Sequence, residues 1–166
     1  MIKGYKCFNK DLTNRYGTQF EIGKTYKITN PIKFGKNGFH MCTNIEDTFR
    51  YFDAINEEVS VCEVLGFGNK QIHNDEYYGY YDMYSVEKIK IIRVIPRDEI
   101  INIELNLNEF RVTRFIQGFK LTKEEILLFK DKFNISSQLL NAIAYYQEKD
   151  IDVYTRKYQR TNNFKI

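Results

Sequence analysis

The chain has no tryptophan, two prolines, two histidines and three cysteines in 166 residues, and only three of its residues are alanine. Each shortage excludes something. Cys7, Cys42 and Cys62 are odd in number, widely spaced and free of any Cys-x-x-Cys pair, which argues against a disulfide framework and a zinc ribbon and for reduced, buried thiols. Nowhere do 18 consecutive apolar residues occur, so no transmembrane helix is expected. The opening Met1-Ile2-Lys3-Gly4-Tyr5-Lys6 lacks the apolar run and small-residue cleavage site of a secretory signal, and a soluble intracellular protein with no membrane partner is the expectation. A strong charge of one sign is missing too. The formal net charge of +3 is too small to imply a nucleic-acid partner by itself.

What is present is an aromatic, half-apolar chain: 43% apolar, 28% charged, with thirteen Tyr and thirteen Phe. That excludes a disordered or low-complexity polypeptide and leaves room for one core, or one core with a small appendage. The charge is uneven. Residues 1–100 carry 14 acidic and 14 basic groups, residues 101–166 carry 8 and 11, so the whole excess lies in the last third. Arg156, Lys157, Arg160 and Lys165 all follow the last acidic residue, Asp152, and form a short basic tail.

The first hundred residues read as β-rich. Residues 4–8 and 24–28 alternate polar with apolar or aromatic side chains, and 59–65 and 88–95 are stronger strands. Asn37-Gly38 and Gly66-Phe67-Gly68-Asn69 mark loops, and Pro96 with Asp98 closes the last strand. One helix is expected over 45–55, because Thr43 and Glu46 have capping-box spacing and Ile45, Phe49, Phe52 and Ile55 share a face. From Asn108 the period becomes helical. A helix from Asn108 ends at Gly118, a second starts at Thr122 with Glu125 in capping-box position, and a third follows Asn134 and Ser136. The reading is an α+β fold, a mixed or antiparallel sheet covered by a helix, with a C-terminal three-helix part. Its divisions are an α+β domain over 1–104, a helical subdomain over 105–152 and a tail over 153–166. No Pro- or Gly-rich linker separates the first two, so docking is expected.

Three stretches invite a functional reading. Tyr77, Tyr78, Tyr80, Tyr81 and Tyr84 fall within eight residues between two strands. Tyrosine gives large, rigid, amphipathic contact area at low entropy cost and concentrates in recognition surfaces; the structural alternative is a pair of strand ends whose tyrosines lie over a sheet edge. Gly38-Phe39-His40-Met41-Cys42-Thr43-Asn44 is the second, with His40 and Cys42 on one face if it is a strand. Such a pair could serve as base and nucleophile, or as ligands with His73 or Cys7, but spacing alone shows neither, and a structural His beside a strand end is the plain reading. The third is the helix pair around Asn134-Ile135-Ser136, which has a helix-turn-helix outline presenting Gln138, Asn141, Tyr145 and Glu148. Its second helix holds no cation before Lys149, which suits an ordinary helical hairpin better than a DNA reader.

Gly4-Tyr5-Lys6-x-Phe8-Asn9-Lys10-Asp11-Leu12, Phe20-Glu21-x-Gly23-Lys24-x-Tyr26, Gly38-Phe39-His40-x-Cys42-x-Asn44 and the pair Tyr51-Phe52 resemble a small bacteriophage- and prophage-associated domain of unknown function over residues 3–95. That resemblance implies a mobile-element origin and a bacterial cytoplasm, where compact proteins of this kind often inhibit host defence, anti-CRISPR proteins among them. A second likeness is to ADP-ribosyltransferase folds, which implies an NAD-binding role for Tyr5, the strand from Gly38 to Cys42, and Tyr51, with Glu63 as the acidic group.

The expectation is therefore binding rather than catalysis, with no cofactor or metal, directed at a host protein or ribonucleoprotein. Tyr77, Tyr78, Tyr80, Tyr81 and Tyr84 would supply contact area, and Arg156, Lys157 and Arg160 charge complementarity or contact with RNA phosphates. A homodimer could use the same apolar surface.

Overall fold

The computed structural model describes residues 1–33, 36–74, 82–133 and 136–148. Five strands, β1 (Ile2–Asn9), β2 (Thr25–Lys27), β3 (Phe39–Cys42), β4 (Val59–Asn74) and β5 (Asp82–Val94), form one antiparallel sheet in the order β2-β5-β3-β1-β4. Because β4 also pairs with β5, the strands β1, β3, β5 and β4 close into a ring. β1 pairs with β4 along its whole length, from Ile2 opposite Gly66 to Asn9 opposite Val59. Against β3 it has a single registered pair, Tyr5 with Cys42, which makes this the ring's shortest seam.

Strand alternation sends side chains to two places. Phe8, Met41, Cys62, Val64, Val86, Ile89 and Ile91 fill the ring, plugged by Phe20 and flanked by Tyr26 from the segment between β1 and β3. Gly4 serves that filling: a Cβ there would sit 2.4 Å from the Cys42 carbonyl oxygen, so only glycine lets β1 come this close to β3. On the outer face Cys7, Val61 and Ile95 join the helices α1 (Ile45–Thr48), α2 (Arg97–Leu105), α3 (Glu109–Gly118), α4 (Lys123–Lys132) and α5 (Ser137–Ile143) in a second core around Phe49, Phe115 and Phe129. The fold is α+β, as expected, and the helices share that core with the sheet.

The three C-terminal helix starts lie where the caps put them. Asn108 accepts from the Arg111 amide, Thr122 and Glu125 complete a reciprocal capping box, and Ser136 accepts from the Leu139 amide. After Ile143 the chain continues as a π-helical turn, Ala144–Glu148.

Other expectations are corrected. The helix expected over 45–55 stops at Thr48, because Ala54 is drawn into an isolated parallel bridge with Phe119 and accepts from the Lys120 amide. Thr43 is not its cap; Asn44 holds that position, with its side-chain amide on Asp47. Gly66-Phe67-Gly68-Asn69 is not a loop but part of β4, with a register shift between Phe67 and Lys70, Gly68 at φ +76° and the Asn69 amide donating to Glu87. This is a bulge of the kind glycine at positive φ permits. Helix α2, opened by Pro96 and acidic at Asp98 and Glu99, was not anticipated.

One ionic cluster ties the layers. Glu46 and Asp47 of α1 are buried and engaged by two arginines of α3: Arg111 Nε donates to Glu46 Oε1 at 2.5 Å, and Arg114 pairs with Asp47. Glu104 of α2 lies in their field, wholly buried, with neither carboxyl oxygen hydrogen-bonded among the described residues.

Candidate functional site

Of the expected contact residues, Tyr77, Tyr78, Tyr80 and Tyr81 lie outside the described residues, as do Arg156, Lys157 and Arg160. Tyr84 is a β5 residue paired with Met41 on one side and Ile72 on the other, half-buried against the ring's filling. Gln138, Asn141 and Tyr145 line a hollow of about 580 Å³ with Thr113 and Gln117 of α3, and no Lys or Arg is among its described lining residues.

The arrangement that does gather chemistry sits over the β1/β3 seam. Where the two strands part beyond Tyr5 and Cys42, a cleft of about 380 Å³ opens. Two connections border it. One is the segment after β1, in which Thr13 bridges Gln19 and Asn14 Oδ1 accepts from the backbone amides of Tyr16 and Thr18, both at 2.9 Å, while Gly17 takes φ +81°. This Asx-anchored turn presents Arg15 and Tyr16 to solvent at a fixed place. The other is the stretch after α1, which brings Tyr51 and Phe52, with the Arg15 guanidinium 6.0 Å from the Phe52 ring centroid. Buried Phe20, Met41, Cys42 and Met83 form the floor.

Lys6 enters from the strand itself. It occupies an inward position of β1, between Gly4 and Phe8 and opposite Cys62. Its Nζ donates to the His40 carbonyl at 2.9 Å and stands 5.5 Å from the Phe8 ring centroid, so the ammonium serves as a donor at a seam with one backbone pair. Lys3, Lys10, Lys24 and Lys27 each have a carboxylate partner; among the described residues Lys6 and Arg15 have none. Burial lowers the Lys6 pKa, against the opposing pull of Cys42, Cys7 and Cys62. Burial, and then the Lys6 charge, lower the His40 pKa, which keeps its imidazole neutral at pH 7.

Lys6, Arg15 and His40 line the cleft, and no Asp or Glu does so among the described residues. A cavity walled by Tyr5, Tyr16, Tyr51 and Phe52 and carrying only cationic or neutral polar groups is suited to an anion with a flat apolar body. It is poorly suited to thiolate chemistry. Burial pushes the Cys42 thiol up to about 12, with the Asp47 charge adding to the effect, and the Cys62 thiol up to about 12 as well, so both are protonated and weakly nucleophilic. Among the described residues no three His, Cys, Asp or Glu side chains gather as a metal site.

The roles implied by the ADP-ribosyltransferase likeness divide. Tyr5, His40, Cys42 and Tyr51 come together around the cleft. Glu63 does not line it: its carboxylate is held by Lys3 at 3.0 Å and Arg93 at 3.1 Å, so the acidic group of that reading is absent from the cleft. Lys6 and Arg15 were missed in the sequence. The signals were a lysine on the otherwise apolar face of an alternating strand, and an Asn-x-x-Gly turn.

Residues 2–103, more than half of the chain, match a family model described as "Domain of unknown function (DUF7666)". The match agrees with the expected domain of unknown function and runs past residue 95 into α2; neither a phage origin nor ADP-ribosyltransferase resemblance is part of it. No curated protein and no solved structure matches the chain.

Proposed function

The chain belongs to the DUF7666 family, and we propose from its cleft that it is a binding protein for a small planar anion, such as a one-ring carboxylate or phosphate. The observation that carries this reading is the cleft's lining: Lys6, Arg15 and His40 between aromatic walls, with no acidic side chain among the described residues. Arg15 at the rim would take the charged group in a two-pronged contact. Tyr5, Tyr51 and Phe52 would flank the ring, and Lys6 would meet a polar substituent at the inner end. A cavity of about 380 Å³ is at the small end of ligand pockets and suits a single substituted ring.

Titration calorimetry with a panel of benzoates and aryl phosphates, each beside its uncharged amide or alcohol counterpart, tests this. An anion that binds at least about tenfold more tightly than its neutral counterpart, and loses that preference in Arg15→Ala, supports it. Equal binding of charged and neutral members, or no binding by either, overturns it.

The protein- or ribonucleoprotein-binding reading, including inhibition of a host defence system, is a separate proposal. It is supported by the composition of the tyrosine-rich stretch and of the basic tail.

A further inference from the structure

We propose that the Lys6 side chain captures carbonyl compounds, so that the cleft's ligand is a planar anion bearing an aldehyde or keto group, held as an imine. The inference rests on the cleft reading above and goes beyond it in naming a covalent bond.

The geometry sets Lys6 apart from the chain's other described lysines. Its amine stands inside a strand ring, in contact with the cleft, against the Phe8 ring and within 2.9 Å of the His40 carbonyl. That one backbone acceptor uses one N–H and fixes the direction of the side chain. No carboxylate among the described residues neutralises it. Burial favours the free amine, the form that attacks carbonyls; lysines activated this way are desolvated or placed near other cations. Arg15 and neutral His40 line the same cleft. The thiols of Cys7, Cys42 and Cys62 are buried and protonated and do not compete as nucleophiles at pH 7.

The step balances without oxidant or reductant. The Lys6 nitrogen pair forms a bond to the carbonyl carbon as the carbonyl π pair moves onto oxygen; the oxygen takes up a proton, the nitrogen gives up one of its two, and a carbinolamine results. The carbinolamine oxygen then takes a second proton and leaves as water, the nitrogen loses its remaining proton, and the C=N bond is complete. Arg15 would hold the ligand's anionic group so that the carbonyl end points inward. His40, neutral and within the cleft, can accept the proton that the nitrogen gives up and pass it to the departing oxygen.

The test is reductive trapping on the full chain at pH 7, with 4-formylbenzoate as probe and cyanoborohydride as reductant, read by intact mass and peptide mapping. One adduct on the peptide holding Lys6, formed faster than on any exposed lysine, is the expected result. Lys6→Arg keeps the cation but has no primary amine at that position; it should fold by circular dichroism and lose that adduct alone. Adducts spread evenly over exposed lysines, or persisting at unchanged rate in Lys6→Arg, overturn the proposal. The parallel arm uses 4-(hydroxymethyl)benzoate, which cannot form an imine. If it binds and 4-formylbenzoate is not trapped, the covalent inference fails and the cleft reading stands. If neither binds nor traps, both fail.

Discussion

The most exposed test of the packing concerns Glu104, a carboxyl group that is 0% exposed and hydrogen-bonded to nothing among the described residues. Three acidic side chains, Glu46, Asp47 and Glu104, share two arginines, and those arginines are taken by the first two. The third carboxyl is left to hold a proton. Burial foremost, with the Glu46 charge behind it, pushes its pKa from 4.5 up to about 9. The sign follows from proton counting. Below pH 4.5 the group is neutral in both states and adds no pH dependence. Between 4.5 and about 9 the unfolded chain releases the proton and the folded chain keeps it, so stability falls as pH rises, by about 1.4 kcal/mol per pH unit. By pH 7 that is about 3 kcal/mol relative to pH 4.5, a large part of a small domain's stability. Glu104→Gln keeps the shape and cannot ionise. Urea unfolding of both proteins at pH 6, 7 and 8 should give curves whose difference grows by about 1.4 kcal/mol per unit in favour of the variant. Lys6 and the three thiols also titrate differently in the two states, but they do so equally in both proteins and cancel in the difference. Parallel pH dependences would refute the protonated Glu104.

Other outcomes follow from the seam, the ring and the tail. Gly4→Ala would press a Cβ against the Cys42 carbonyl and the Met41 side chain, and should cost about 1–3 kcal/mol in a denaturant melt. Iodoacetamide at pH 8 should leave Cys7, Cys42 and Cys62 unlabelled in the native chain and label all three in urea, because all three thiols are buried and have raised pKa values; rapid native labelling of any one would contradict its placement. Should the basic tail hold RNA phosphates, filter retention of a labelled RNA will weaken steeply with salt and vanish when Arg156, Lys157 and Arg160 are changed to Ser, and no retention at low salt removes that role.

The parts of the fold legible in the sequence are those decided by neighbours along the chain. Asn108, Thr122 with Glu125, and Ser136 cap helices through contacts three residues away, so their spacing is enough. The end of α1 was not legible, because Phe119, 65 positions beyond Ala54, decides it. Gly66-Phe67-Gly68-Asn69 has the composition of a turn and becomes a bulge through Glu87 on the partner strand. Pro96 with Asp98 reads equally well as a strand stop and as a helix start, and it is Glu99 beside Asp98 in the first turn that favours the helix. At the cleft, Tyr5, the strand from Gly38 to Cys42 and Tyr51 lie together, whereas Glu63 does not line it. Strand register alone would not have excluded it, since Glu63 is paired with Tyr5; Lys3 and Arg93 hold its carboxylate.

The single pair joining β1 to β3 has a consequence for the molecule's breathing. Bringing Tyr5 to Cys42 closes a loop of 37 residues, for which the length-dependent entropy is about 3 kcal/mol, and one ladder pair recovers about 1 kcal/mol of that. The remainder is supplied by Phe8, Phe20 and Met41 packing inside the ring and by the Lys6 bond to His40. The seam is accordingly the first place where the ring parts in local opening, ahead of the long β1–β4 and β4–β5 ladders. A ligand reaching from Tyr5 to His40 would bridge both lips, so its occupancy would register as slowed amide exchange at the seam, making the ring's closure and the filling of its cleft one and the same equilibrium.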